Sequence, residues 1–221
     1  MPAGHREMDE RASTYLHAVL DKDKKSAEAL VQSMIEAGSP LVEIYGVLGA
    51  AQVEVGALWE RGVITVSDEH LATSVTLGCI TMAADKLRKF RREPKGFAVL
   101  LPAEGEFHSV GLRILSELLR NDGWETEIRD SGSMVSTFNA LAARRRVDLF
   151  CLSATMSSNA PRVADAIRLI RREPAFGSAK VVVGGAAFED AAARKAVEAA
   201  SADCVAASFP EALEFVRSNY R

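Results

Sequence analysis

A chain of 221 residues is long enough for one large domain or two small ones with a full core, and its 48% hydrophobic and 26% charged residues are ordinary for a globular protein. The net charge of −3 argues against a nucleic-acid binder, which normally shows a basic face, and no apolar run approaches the roughly 20 residues that span a bilayer. The polar start, Met1 to Asp9, has no signal core, and Cys79, Cys151 and Cys204 are widely separated without metal-site spacing, so the expectation is a cytoplasmic protein with buried thiols and no membrane association.

Up to about Arg92 the chain reads as helices. Met8 to Leu20 and Ser26 to Ala37 carry apolar residues at helical intervals, and Gly38-Ser39-Pro40 ends the second run. Leu41, Ile44, Tyr45, Leu48, Gln52, Val55 and Trp59 trace one face of a long third helix, followed by a break at Gly62 to Thr65. Ser67 serves as the expected N-cap of a fourth helix from Asp68 to about Phe90. Four such helices with short connections predict a four-helix bundle over residues 1–92.

Arg91-Arg92-Glu93-Pro94-Lys95-Gly96 is a polar linker, and after it strands alternate with helices. Strands are expected at Phe97 to Pro102, Glu125 to Asp130, Asp148 to Ser153, Lys180 to Gly184 and Asp203 to Ala206. Helices are expected at Gly111 to Asn121, Val135 to Arg145, Arg162 to Arg172, Ala187 to Ala199 and Pro210 to Asn219. This order predicts an α/β fold over residues 97–221, a doubly wound, flavodoxin-like (Rossmann-like) parallel five-stranded sheet, which binds ligands at the carboxyl ends of its strands. The basic runs Arg144-Arg145-Arg146 and Arg171-Arg172 fall at predicted helix ends, where cations offset the dipole.

The loop after the first strand contains Glu106-Phe107-His108-Ser109-Val110-Gly111. A carboxylate two residues from an imidazole can hold one ring proton and direct the other nitrogen to a metal, and glycine lets the backbone approach something bulky. The pattern resembles the (Asp/Glu)-x-His-x-x-Gly signature of cobalamin-binding domains, in which the His is the lower cobalt ligand. Ser153-Ala154-Thr155 ends the third strand where that family carries Ser-x-Leu, with Thr155 in place of Leu, and Gly184-Gly185 ends the fourth, matching its Gly-Gly. The resemblance implies bound cobalamin with His108 on cobalt, Glu106 orienting it, Ser153 on the detached base and the glycines admitting the nucleotide loop. By themselves Ser153 can equally cap a helix and Gly184-Gly185 form a tight turn.

Trp59, nine residues and then Glu69-His70 is similar to the Trp-x9-Glu-His signature of adenosylcobalamin-dependent photoreceptors of the CarH type, in which a helical bundle caps the corrin. That resemblance implies adenosylcobalamin between bundle and sheet domain, with Trp59, Val66, Glu69 and His70 around the adenosyl group. Singly, Trp59 also suits a helix core, and Glu69 a helix start. Glu60 stands where those photoreceptors carry a second cobalt-ligating His; a carboxylate is a harder cobalt donor than imidazole, His70 is a candidate substitute if the helix shifts, and no DNA-binding module is expected ahead of the bundle. The function expected is therefore a stand-alone light sensor that signals through a protein partner or a change of homo-oligomer, without direct nucleic-acid contact. The alternative is the corrinoid, methyl-carrying subunit of a methyltransferase system. No catalytic constellation is legible, so no enzymatic activity is expected.

Overall fold

The computed structural model describes residues 8–87, 93–106, 108–129 and 134–220. The chain divides into two compact units, Met1–Arg88 and Lys89–Arg221. The predicted linker residues Arg91 and Arg92, the end of the predicted fourth helix near Phe90, and Asp130 at the end of the second strand lie outside the described residues.

The first unit consists of α1 (Glu10–Leu20), α2 (Lys24–Glu36), α3 (Leu41–Glu60) and α4 (Val66–Leu87). Asp9 and Asp23 cap α1 and α2, each carboxylate accepting a backbone N–H two or three residues on. Tyr15, Val31, Ile44, Tyr45, Leu48, Val55 and Ile80 are fully buried between the helices. A polar ladder crosses this core: Tyr15 donates to Thr76 (3.2 Å), Thr76 to Gln52 Oε1 (3.1 Å), Gln52 Nε2 to Thr73 (2.6 Å) and Thr73 to Glu69 Oε1 (2.8 Å). Buried polar groups so linked fix the register of α1, α3 and α4, because sliding any helix would orphan a donor.

Three expectations need correction here. Ser67 lies inside α4; the cap is Thr65, whose hydroxyl accepts from the Asp68 N–H (3.2 Å) while the Asp68 carboxylate accepts the Thr65 N–H (3.0 Å). This is a reciprocal capping box. Trp59, in the last turn of α3, is 38% exposed, although the rest of the predicted face is buried or partly buried. Finally, α3 is long and apolar enough to cross a membrane by length and composition alone. Its Val, Leu and Ile residues create that character, and the helix packs on α1 and α4.

The second unit is a five-stranded parallel sheet of order β2-β1-β3-β4-β5, with β1 Phe97–Pro102, β2 Glu125–Ile128, β3 Leu149–Ser153, β4 Lys180–Gly184 and β5 Cys204–Val205. Helices α5 (Val110–Asn121), α6 (Met134–Ala142), α7 (Ala160–Arg172), α8 (Ala191–Ala199) and α9 (Phe209–Asn219) cover it. Phe97, Val99 and Leu101 join Phe150, Leu152, Val181, Val183 and side chains of α6, α7 and α8 in one core. Helices α5 and α9 pack together over the opposite face. All of β1 is buried, the pattern of a strand covered on both faces.

The predicted helix Ala187 to Ala199 is two elements, a short 3-10 segment at Ala186–Glu189 and then α8, because Asp190 caps the Ala193 N–H (2.8 Å) and restarts the chain. Helix α6 ends at Ala142, so the Arg144 to Arg146 run lies beyond it. Arg145 reaches Glu125 (2.6 and 3.0 Å) and stacks 3.7 Å from the Phe97 ring centroid, and Arg146 lies 2.8 Å from Asp148. Those cations bind strands rather than offset a helix dipole.

Candidate functional site

Strand order reverses between β1 and β3, and the carboxyl ends of β1, β3 and β4 lie in line, with Pro102 opposite Ser153 and Ser153 opposite Gly184. Beyond β1 the chain turns at Ala103 to Glu106, closed by the Glu106 N–H on the Ala103 carbonyl (2.9 Å), with Gly105 at φ 80°. The positive φ suits glycine and sends the Glu106 side chain back into the protein, where it is 3% exposed.

Glu106 is the centre of this site. Its Oε2 accepts from the Thr155 N–H (2.9 Å), the Met156 N–H (3.4 Å) and Asn159 Nδ2 (3.2 Å). Its Oε1 accepts from the His108 N–H (3.2 Å) and is paired with His108 Nδ1. Burial pushes the carboxyl pKa up, but the Thr155 N–H, the His108 imidazole and N–H, and Asn159 outweigh it and bring the value down to about 2. An anionic carboxylate on Nδ1 keeps the ring proton there, so Nε2 is left with its lone pair on an imidazole that is itself 42% exposed.

Ser153 is partly exposed at the end of β3; its carbonyl accepts from the Ala103 N–H (2.8 Å), and among the described residues its hydroxyl has no hydrogen-bond partner. Gly111 lies in the first turn of α5, and a Cβ there would meet nothing within 4 Å. At Gly184 a Cβ would touch only the Ala206 carbonyl oxygen, at 3.6 Å. Gly185 differs: φ is 109° and a Cβ would fall 2.3 Å from the Ala154 carbonyl oxygen. Thr155 and Met156 are exposed beside them. Thus Glu106, His108, Gly111, Ser153, Thr155, Gly184 and Gly185 gather at one end of the sheet. Asn159, which sequence reasoning missed, completes the Glu106 environment; the available signal was its place just ahead of α7, where a polar side chain faces the strand ends.

Trp59, Val66, Glu69 and His70 gather separately, at the α3–α4 end of the first unit. Trp59, Val63, Val66 and Leu71 are exposed apolar side chains there. His70 Nε2 lies 3.5 Å from Glu69 Oε2, and the other Glu69 oxygen is taken by Thr73, which ties that carboxylate into the polar ladder of the bundle.

One imidazole cannot hold a bare metal ion, and among the described residues no three His, Cys, Asp or Glu side chains are grouped to do so. A metal bound at His108 must bring its other ligands with it, as the cobalt of a corrinoid does. A family model described as B12 binding domain matches residues 97–217, and a second of the same description matches residues 12–83. The chain belongs to the B12-binding-domain family. It is similar to dimethylamine corrinoid protein 2 of Methanosarcina acetivorans, 30% identical over 89% of each chain. It is also similar to monomethylamine corrinoid protein 1 of Methanosarcina mazei, 27% identical over 89% of this chain and 91% of that one. The solved monomethylamine corrinoid protein of Methanosarcina barkeri shares the fold, with a TM-score of 0.74 at 21% identity over 91% of this chain and 94% of that one.

These relatives overturn the light-sensor expectation. They are corrinoid proteins of methylamine systems, similar along both units, and none is a photoreceptor. The adenosyl group expected around Trp59, Val66, Glu69 and His70 goes with it: cobalamin is supported, its adenosyl form is not. Glu69 is held by Thr73 one helical turn away, and Trp59 stands in the last turn of α3.

Proposed function

We propose that the chain is a methyl-carrying corrinoid protein that works with a methyltransferase on a methylated amine. The observation that carries the reading is the buried Glu106 gripping His108 Nδ1, which leaves Nε2 as a single free donor in a site with no other metal-binding cluster among the described residues. Bound cobalamin would supply a cobalt centre that accepts and yields a methyl group. His108 would hold the cobalt through Nε2. Glu106 keeps the proton at Nδ1 and raises the donor strength of Nε2. Ser153 would meet the detached base, and Gly111 and Gly184 would leave room for the nucleotide tail.

The chain is a carrier and not an enzyme, in keeping with curated relatives named as corrinoid proteins. Trp59, Val63 and Val66 leave an exposed apolar end on the helical unit. The test is direct: protein loaded with cobalamin and reduced to the Co(I) state is mixed with dimethylamine or monomethylamine and the matching methyltransferase. Conversion of its absorption spectrum to that of methyl-Co(III), dependent on both amine and enzyme, is expected. An unchanged spectrum with either amine, from protein that methyl iodide does methylate, would reject the amine route.

A further inference from the structure

Arg162 stands in the first turn of α7, where a cation meets the positive end of the helix dipole. Helix stability gives no reason for it, and such local conflicts mark residues kept for another task. Its Nη1 donates to Asn159 Oδ1 at 2.5 Å, while Asn159 Nδ2 donates to Glu106 Oε2. Asn159 is buried. The two ends of an amide are nearly equal in shape and opposite in hydrogen bonding. Turned over, Asn159 would set its carbonyl oxygen against a buried carboxylate. A guanidinium has donors only, so its neighbour must present an acceptor, and that choice forces the NH2 group toward Glu106.

We propose that Arg162 is a positioning residue for the lower cobalt ligand, locking the Asn159 amide so that it donates to Glu106 and, through Glu106, holding His108 with Nε2 free. The inference rests on the reading of His108 as the cobalt ligand. Glu106 keeps the Thr155 and Met156 N–H groups when the amide is loose, so Arg162 tunes the ligand and does not create it.

The experiment uses the full chain loaded with cobalamin and reduced to Co(II). With the histidines of the protein labelled with 15N, electron paramagnetic resonance over a temperature series gives the ratio of cobalt with the two-line splitting of an axial histidine nitrogen to cobalt without it, so that the cofactor's own 14N base is not counted. Partners that orient metal ligands are worth about 10–100-fold in metal affinity, and with Arg162 two hydrogen bonds beyond Glu106, Arg162→Ala is expected to lower this ratio by the low end of that range, about 10-fold. Arg162→Lys, which keeps a donor for Oδ1, is expected to restore most of it. His108→Ala is the reference for complete loss. If Arg162→Ala matches the parent protein while His108→Ala loses the splitting, the proposal fails and the ligand assignment stands. Equal loss in Arg162→Lys and Arg162→Ala also overturns it. A His108→Ala spectrum identical to the parent's overturns the ligand assignment and the proposal with it.

Discussion

A methyl group on Gly185 would come within 2.3 Å of the Ala154 carbonyl oxygen, whereas on Gly184 it would rest 3.6 Å from Ala206. Gly185 also has φ 109°, which costs a side chain about 1–3 kcal/mol before any clash. Gly185→Ala is therefore expected to lower stability by about 2 kcal/mol or more with or without cobalamin, and Gly184→Ala to leave the melting temperature nearly unchanged while weakening cobalamin binding in equilibrium dialysis. Glu106 gives a pH prediction for the cobalamin-free protein. Its folded pKa, about 2, lies below the ordinary 4.5, so its contribution is complete above pH 4.5 and is lost as pH falls through 2. That difference corresponds to about 3 kcal/mol. Acid unfolding of Glu106→Gln is expected to lack this slope; a parallel slope in both proteins would contradict the buried anion. Glu106, His108 and the small residues were legible because their chemistry is carried by residue type and spacing. Asn159 was not, because its partner lies 53 positions away and an asparagine ahead of a helix has an ordinary use as a cap.

At the scale of elements, continuous apolar runs bounded by glycine or proline made β1 and β4 readable to the residue. Strand β5 shortened to Cys204–Val205 because an edge strand pairs on one side alone, and β4 offers it two positions, Val182 and Val183. The start of α4 was misplaced onto Ser67 because serine is a strong cap by type, while the side chain that caps is Thr65. Thr65→Ala is expected to cost about 1 kcal/mol in chemical denaturation of the full chain, against little change for Ser67→Ala, which is exposed within α4. The reverse order would place the cap at Ser67.

At the scale of the molecule, alternation of strands and helices after Gly96 fixed a parallel sheet, and sheet topology then placed the His108 loop beside the ends of β3 and β4. The form of cobalamin was not legible in the same way. A Trp, Glu and His at one end of a bundle suit an adenosyl group, yet helix ends and a polar ladder account for the same residues, and similarity along both units points to methylamine corrinoid proteins. The proposed function stands on His108 binding the cobalt of cobalamin. It is tested most directly by the absorption spectrum of the protein loaded with hydroxocobalamin beside that of His108→Ala. The expected result is a parent spectrum with the cofactor's own base displaced and a histidine imidazole in its place, and a His108→Ala spectrum in which no histidine imidazole is bound. Identical spectra from the two proteins would contradict it.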